Sequence, residues 1–200
     1  MLVGFFTMLA NLSALVFVAL LVVEVNELSS SAAGLVLTPG AVALAILPPL
    51  AGRLSDRVGV RPPIVAGLVM MALALLYIST FAGAPPVLIA GGVRGLGVGF
   101  ACIQSPTKDA AANALRKAAV GPGMGLFAGA FFLGSGTGPA LIGAFLAARQ
   151  EAGFGALNPL NRFDAAPFSD AFLVMAVAVV IALLATFGLR SHTKEAPPMT

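Results

Sequence analysis

Residues 52–61 read Gly-Arg-Leu-Ser-Asp-Arg-Val-Gly-Val-Arg and stand between two apolar stretches, roughly 31–51 and 63–82. Each flank has the ~20 mainly apolar residues that carry a helix across a bilayer. Three arginines and an aspartate in so short a segment do not belong in hydrocarbon, where one such side chain costs about 2.5 kcal/mol or more. The segment is therefore expected to be a turn at a membrane surface, and its basic charge marks that surface as cytoplasmic.

The rest of the chain fits this setting. Hydrophobic residues make up 59% of the 200 and charged residues 10%, against about 45–50% and about 25% in a soluble domain. Mean hydropathy is +1.01. Such a chain cannot cover itself with polar surface, and the lipid bilayer is its first partner. Six segments qualify as spans: roughly 2–23, 31–51, 63–82, 86–106, 122–147 and 170–189. They are apolar all round rather than alternating, which excludes barrel strands. In lipid each backbone group must then be bonded within its own segment. The expected architecture is an all-α membrane protein, with a six-helix bundle over 1–190 and a polar cytoplasmic tail over 191–200.

Charge gives the orientation. One side receives Arg53, Arg57, Arg61, Lys108, Arg116, Lys117, Arg190 and Lys194; the other receives only Arg149 and Arg162, with Glu24 and Glu27 beside them. Both termini are expected to be cytoplasmic, in a plasma membrane. The net charge of +3 is thus a topology signal and not a nucleic-acid footprint. Cys102 lies in an apolar segment, so no intrachain disulfide or cysteine-rich metal site is expected. His192 falls in the tail, and no paired carboxylates or serine-based constellation lies in the spans. No catalytic residues, metal or cofactor are expected, and an enzyme is the weakest reading. Pro63 and Pro86 suit helix starts, where a missing N–H costs nothing. Asp170 is placed at the N-terminus of the sixth helix, where its charge suits the dipole. The long segment 148–169 reads as a plain connector.

Three groups of residues carry chemistry. In the turn, which also holds Arg57 and Arg61, Gly52 and Gly59 permit tight folding, while Asp56 can accept at a helix end and pair with an arginine. Read alone, the cluster is a basic topology anchor with a capping aspartate. Arg94, in Gly-Gly-Val-Arg-Gly-Leu-Gly-Val-Gly, lies about 12 Å from the start of its helix at 1.5 Å per residue. It should face protein or water, or snorkel to the headgroups. In the fifth helix stand Gly125, Gly134, Gly138-Pro139 and Gly143. The pairs Gly125/Gly129 and Gly134/Gly138 have the spacing that lets helix backbones touch, and Pro139 removes one backbone bond.

These three groups, in this order, resemble the major facilitator superfamily of transporters. The turn resembles the family's loop motif between its second and third helices, with Val60 replacing one basic residue. Arg94 resembles the arginine of the fourth-helix motif, which implies a role in proton or substrate handling. The fifth-helix pattern resembles that of drug:proton antiporters, with Ile142 the departure. The stretches 32–40, 48–52 and 123–127 are similar to the C-terminal half of fourteen-helix multidrug and tetracycline exporters. The resemblance implies efflux of amphipathic small molecules by proton antiport. It also implies that the turn latches one conformation.

Six helices make one half of such a machine, whose halves meet across an axis along the membrane normal. A second six-helix half is therefore expected, either a missing N-terminal half or a second copy. Helix 1 starts at Met1 without a basic flank while the tail tapers into polar residues, as in a fragment or split gene. Apart from Arg94 the spans carry no charge; Asn11, Ser13, Thr38 and Gln104 are the mild polar residues expected to line a cavity. Helices 3 and 6 are expected against lipid, leaving 1, 2, 4 and 5 for cavity and partner. The competing reading is a truncated or non-transporting membrane partner.

Overall fold

The computed structural model describes residues 1–116, 119–153 and 155–187. They form six helices: α1 Leu2–Glu24, α2 Ser30–Val58, α3 Arg61–Thr80, α4 Pro86–Asn113, α5 Val120–Ala152 and α6 Ala166–Phe187, with no strand among the described residues. Each has the length, 20 to 33 residues, and the apolarity to cross a membrane. The chain is a multi-pass membrane protein. Lys117, the last residues of the expected sixth span and the tail 191–200 lie outside the described residues.

Local chemistry accounts for several boundaries. Ser29 caps α2, its Oγ accepting the Ala32 N–H at 3.3 Å. Prolines sit in the first turns of α3 and α4, where their missing N–H has no helical partner to lose. The expected turn 52–61 is mostly helix instead. α2 continues to Val58, and only Gly59 and Val60 separate it from α3. Gly59 has φ +86°, a conformation natural to glycine, and its N–H bonds the Ser55 carbonyl at 2.9 Å. Apolarity ends near Ala51, but backbone hydrogen bonding does not, and Arg57 in the last turn suits the helix dipole. For the same reason α4 and α5 run on to Asn113 and Ala152.

The packing follows a two-fold pattern. α4 lies between α2 and α3, α1 lies between α5 and α6, and α3 packs on α6. Exchanging α1–α3 for α4–α6 reproduces these pairings, as an inverted three-plus-three repeat does. Backbones meet where side chains vanish. A Cβ on Gly99 would lie 2.8 Å from the Gly67 carbonyl oxygen, and one on Gly97 would lie 2.7 Å from Cα of Gly40. The core comes mostly from α1, α3, α4 and α6, including Leu21, Leu68, Leu75, Leu96 and Phe172, joined by Ala33 and Val36 of α2 and Ile142 and Leu146 of α5. The backs of α3 and α6 expose Leu73 and Leu184, apolar surface of the kind lipid covers.

Contacts also define the two ends. At one end Arg61 sits 5.4 Å over the Phe187 ring, and Gly52 approaches Ser105; this end carries Arg53 and Arg57, and we call it the basic end. At the far end Asn26 Nδ2 donates to the Ala84 carbonyl at 3.0 Å. There the segment expected as a plain connector is a strap. Asn158 Nδ2 donates to Ser79 Oγ at 3.0 Å and Asn161 Nδ2 to the Ser79 carbonyl at 2.9 Å, tying the strap to the end of α3. Asp170 is not at a helix N-terminus either, because α6 begins at Ala166. It is fully buried and pairs with Arg149 of α5.

Candidate functional site

The site residues divide between a cleft at the basic end, a position on α4 about 12 Å from its start, and the open faces of α2 and α5. The cleft, about 530 Å³, lies between the last turns of α2 and α4 and is lined in part by Gly52, Arg53, Asp56, Ser105, Asp109 and Asn113. Gly52 is what brings the helices together: a Cβ there would lie 3.3 Å from Ser105 Oγ. Asp56, Arg53, Arg57 and Asp109 are all exposed. Among the described residues none of them makes an ion pair, the Arg149–Asp170 pair being the only one. The cleft therefore holds one basic and two acidic side chains with unspent bonding capacity. Of the expected latch residues, Gly52 and Asp56 reach the cleft. Arg57 and Gly59 stand exposed beside it. Arg61 is drawn away to the Phe187 ring. Asp109 was overlooked in the sequence because it follows Lys108 in what reads as a basic loop; its helical spacing of four from Ser105 is the signal that places both on one face.

Arg94 is exposed and, among the described residues, has no hydrogen bond or ion pair. Its neighbours turn the other way. Gly92 and Gly95 approach Ile78 and Ala74 of α3, and Gly97 approaches Gly40 of α2. The guanidinium is thus presented on the side of α4 left uncovered by this chain.

The glycines of α5 fall on two faces. Gly134 presses on the Phe5 carbonyl, and a Cβ at Gly138 would meet the Leu9 carbonyl oxygen at 2.6 Å. Pro139 follows at once, inside an unbroken helix, and Gly143 makes ordinary contact with Phe17 at 3.6 Å. Gly125 and Gly129, expected to form a second close pair, have nothing within 4 Å of a Cβ. They lie on an uncovered face with Leu126, Phe132 and Leu133. Only 22% of the apolar stretch is buried in α2 and in α5, against 50–56% in the other four helices.

The four expected cavity residues separate. Ser13 is buried at the α1–α5 crossing, its Oγ donating to the Leu9 carbonyl at 2.6 Å. Asn11 is also buried. Gln104 is half-buried and Thr38 is exposed on α2, its Oγ1 donating to the Gly34 carbonyl at 3.0 Å.

A family model described as Major Facilitator Superfamily matches residues 1–199. The chain belongs to the major facilitator superfamily. Family membership places it among transporters and not enzymes. The chain is similar to "Multidrug resistance protein Stp" of Mycobacterium tuberculosis, 34% identical over 125 residues, which is 62% of this chain and 23% of Stp. It is similar to "Uncharacterized MFS-type transporter YcnB" of Bacillus subtilis, 27% identical over 205 residues, 96% of this chain and 43% of YcnB. "Multidrug transporter protein MdtP" of Bacillus subtilis is 28% identical over 102 residues, 50% of this chain and 19% of MdtP. The matches thus span less than half the length of each of these relatives.

Proposed function

We propose that this chain is one six-helix half of a drug:proton antiporter, corresponding to the C-terminal half of a fourteen-helix exporter, and that it moves amphipathic, drug-like molecules together with a second six-helix unit. The observation that carries the reading is the uneven cover of the bundle. α2 and α5 are the least buried helices, and the open α5 face carries glycines suited to close helix approach. The second unit belongs on those faces, as a missing N-terminal half or as a second copy related by an axis along the membrane normal. The printed names of Stp and MdtP support the substrate class, and the basic end belongs at the cytoplasmic surface of the plasma membrane.

Each charged group has a place in this scheme. Asp56 and Arg57, without an ion pair among the described residues, find their latch partners on the second unit. Arg94 faces the shared, water-accessible path, because an arginine at this depth is too costly against lipid. Asp170 is committed to Arg149, so the carboxylate that takes up the coupled proton comes from the second unit.

The test is uptake of a lipophilic cation into vesicles holding both units, with and without a pH gradient. Gradient-dependent flux that disappears when this chain is left out is the expected result. Flux indifferent to the gradient removes proton antiport. No flux in either condition favours a non-transporting membrane partner.

A further inference from the structure

We propose that the Arg149–Asp170 pair is a far-end clasp: it fixes the end of α5 to α6 and the strap 155–165, so that α5 moves only through its basic-end arm. The pair is built as an anchor. Asp170 is 0% and Arg149 15% exposed. Arg149 Nε donates to Asp170 Oδ2 at 2.8 Å, its Nη2 donates to the same oxygen, and Nη2 also donates to the Gly155 carbonyl at 2.8 Å. The Leu157 N–H donates to Asp170 Oδ1 at 2.7 Å. Both carboxylate oxygens and two guanidinium nitrogens are thus spent. A charge pair removed from water holds its geometry because breaking it strands a buried charge. Through Asn158 and Asn161 the same strap is held on α3.

The other arm of α5 has no hydrogen bond or ion pair to another helix among the described residues; it is held by side-chain contacts, Gly123 against the Leu115 side chain and the Phe131 ring 6.5 Å from that of Phe100 on α4. The first close backbone contact that α5 makes with α1 is at Gly134, followed by Gly138 and then Pro139. Before it, Gly121, Gly125 and Gly129 meet nothing, and the contact with Gly4 of α1 runs through the Phe127 and Phe131 rings, which can slide. The glycine crossing is a fulcrum where two backbones touch without interlocking side chains, and Pro139 removes a hydrogen bond beside it. An arm from Val120 to the fulcrum is about 20 Å long, and a tilt of about 15° moves its tip by about 5 Å. The basic-end cleft lies at that level, so the motion changes the basic end of this bundle while the far end of α5 stays tied to α6. This goes beyond the transport reading and does not depend on it.

The test is electron-spin distance measurement in lipid nanodiscs on a Cys102→Ser background. One label pair is Gly125→Cys with Ala66→Cys, at the basic end; the other is Ala148→Cys with Leu76→Cys, at the far end. The clasp predicts a broad distribution, spread over about 5 Å, for the first pair and a single narrow one for the second. Asp170→Asn should broaden the second pair and leave the first as it was. A far-end distribution as broad as the basic-end one, or two narrow ones, overturns the proposal. So does an Asp170→Asn protein whose far end stays narrow. If Asp170→Asn does not fold, the comparison in the otherwise unchanged protein decides alone. Asymmetry without flux leaves the clasp standing and counts against transport; flux without asymmetry does the reverse.

Discussion

Gly138 of α5 sits against Leu9 of α1 so closely that a Cβ added to it would lie 2.6 Å from the Leu9 carbonyl oxygen and 2.7 Å from Ser13 Oγ. No methyl group fits there without moving backbone. Gly138→Ala should therefore destabilise the bundle by about 1–3 kcal/mol, read as a lower unfolding midpoint in mild detergent. An unchanged midpoint would show that the two helices separate freely at this point.

Gly125 makes the opposite prediction with the same substitution. It has open space around it, so Gly125→Ala should not destabilise this chain and, by helix propensity, should stabilise it by up to about 1 kcal/mol. Its effect should fall on association, where the added methyl keeps a second backbone away. Co-purification with the second unit measures this, and an Ala variant that binds as well as the native chain contradicts it.

Removing one partner of the buried ion pair should be costly. Asp170→Ala takes the carboxylate from the Arg149 guanidinium and the acceptor from the Leu157 N–H and should lower stability by about 3–5 kcal/mol. The double change Arg149→Met with Asp170→Leu should recover much of that loss, since replacing both charges by apolar groups is often close to neutral. A double variant as unstable as Asp170→Ala would mean that the strap's geometry, and not the stranded charge, is at stake.

The cleft residues should separate stability from activity. Asp56 is exposed and makes no ion pair among the described residues, so Asp56→Asn should leave the protein's stability within about 0.5 kcal/mol of the native value while lowering flux through the assembled transporter. Equal flux would remove the latch role.

How much of this is legible in the sequence depends on distance along the chain. Six helices followed from apolar length, because lipid leaves a backbone little other choice. Their ends did not. Arg53, Asp56 and Arg57 look like a loop by polarity, yet they extend α2 because charged side chains tolerate a helix once it has left hydrocarbon. Asp170 was misplaced because its partner Arg149 is 21 residues away across a strap. Asn158 and Asn161 looked like connector residues because Ser79, which they hold, is some 80 positions earlier. Spacing revealed the α5 glycines but not which face is covered; Gly134 and Gly138 bury, while Gly125 and Gly129 do not.

The central claim is that the open faces of α2 and α5 belong to a second six-helix unit. Cysteine cross-linking in native membranes tests it most directly, with Leu126→Cys on α5 and Leu35→Cys on α2, both exposed, on a Cys102→Ser background. The account predicts a covalent product joining each position to a helix of another bundle, with no such product from Leu73→Cys on the back of α3. Uncross-linked chain at both positions, or equal cross-linking at all three, would contradict it.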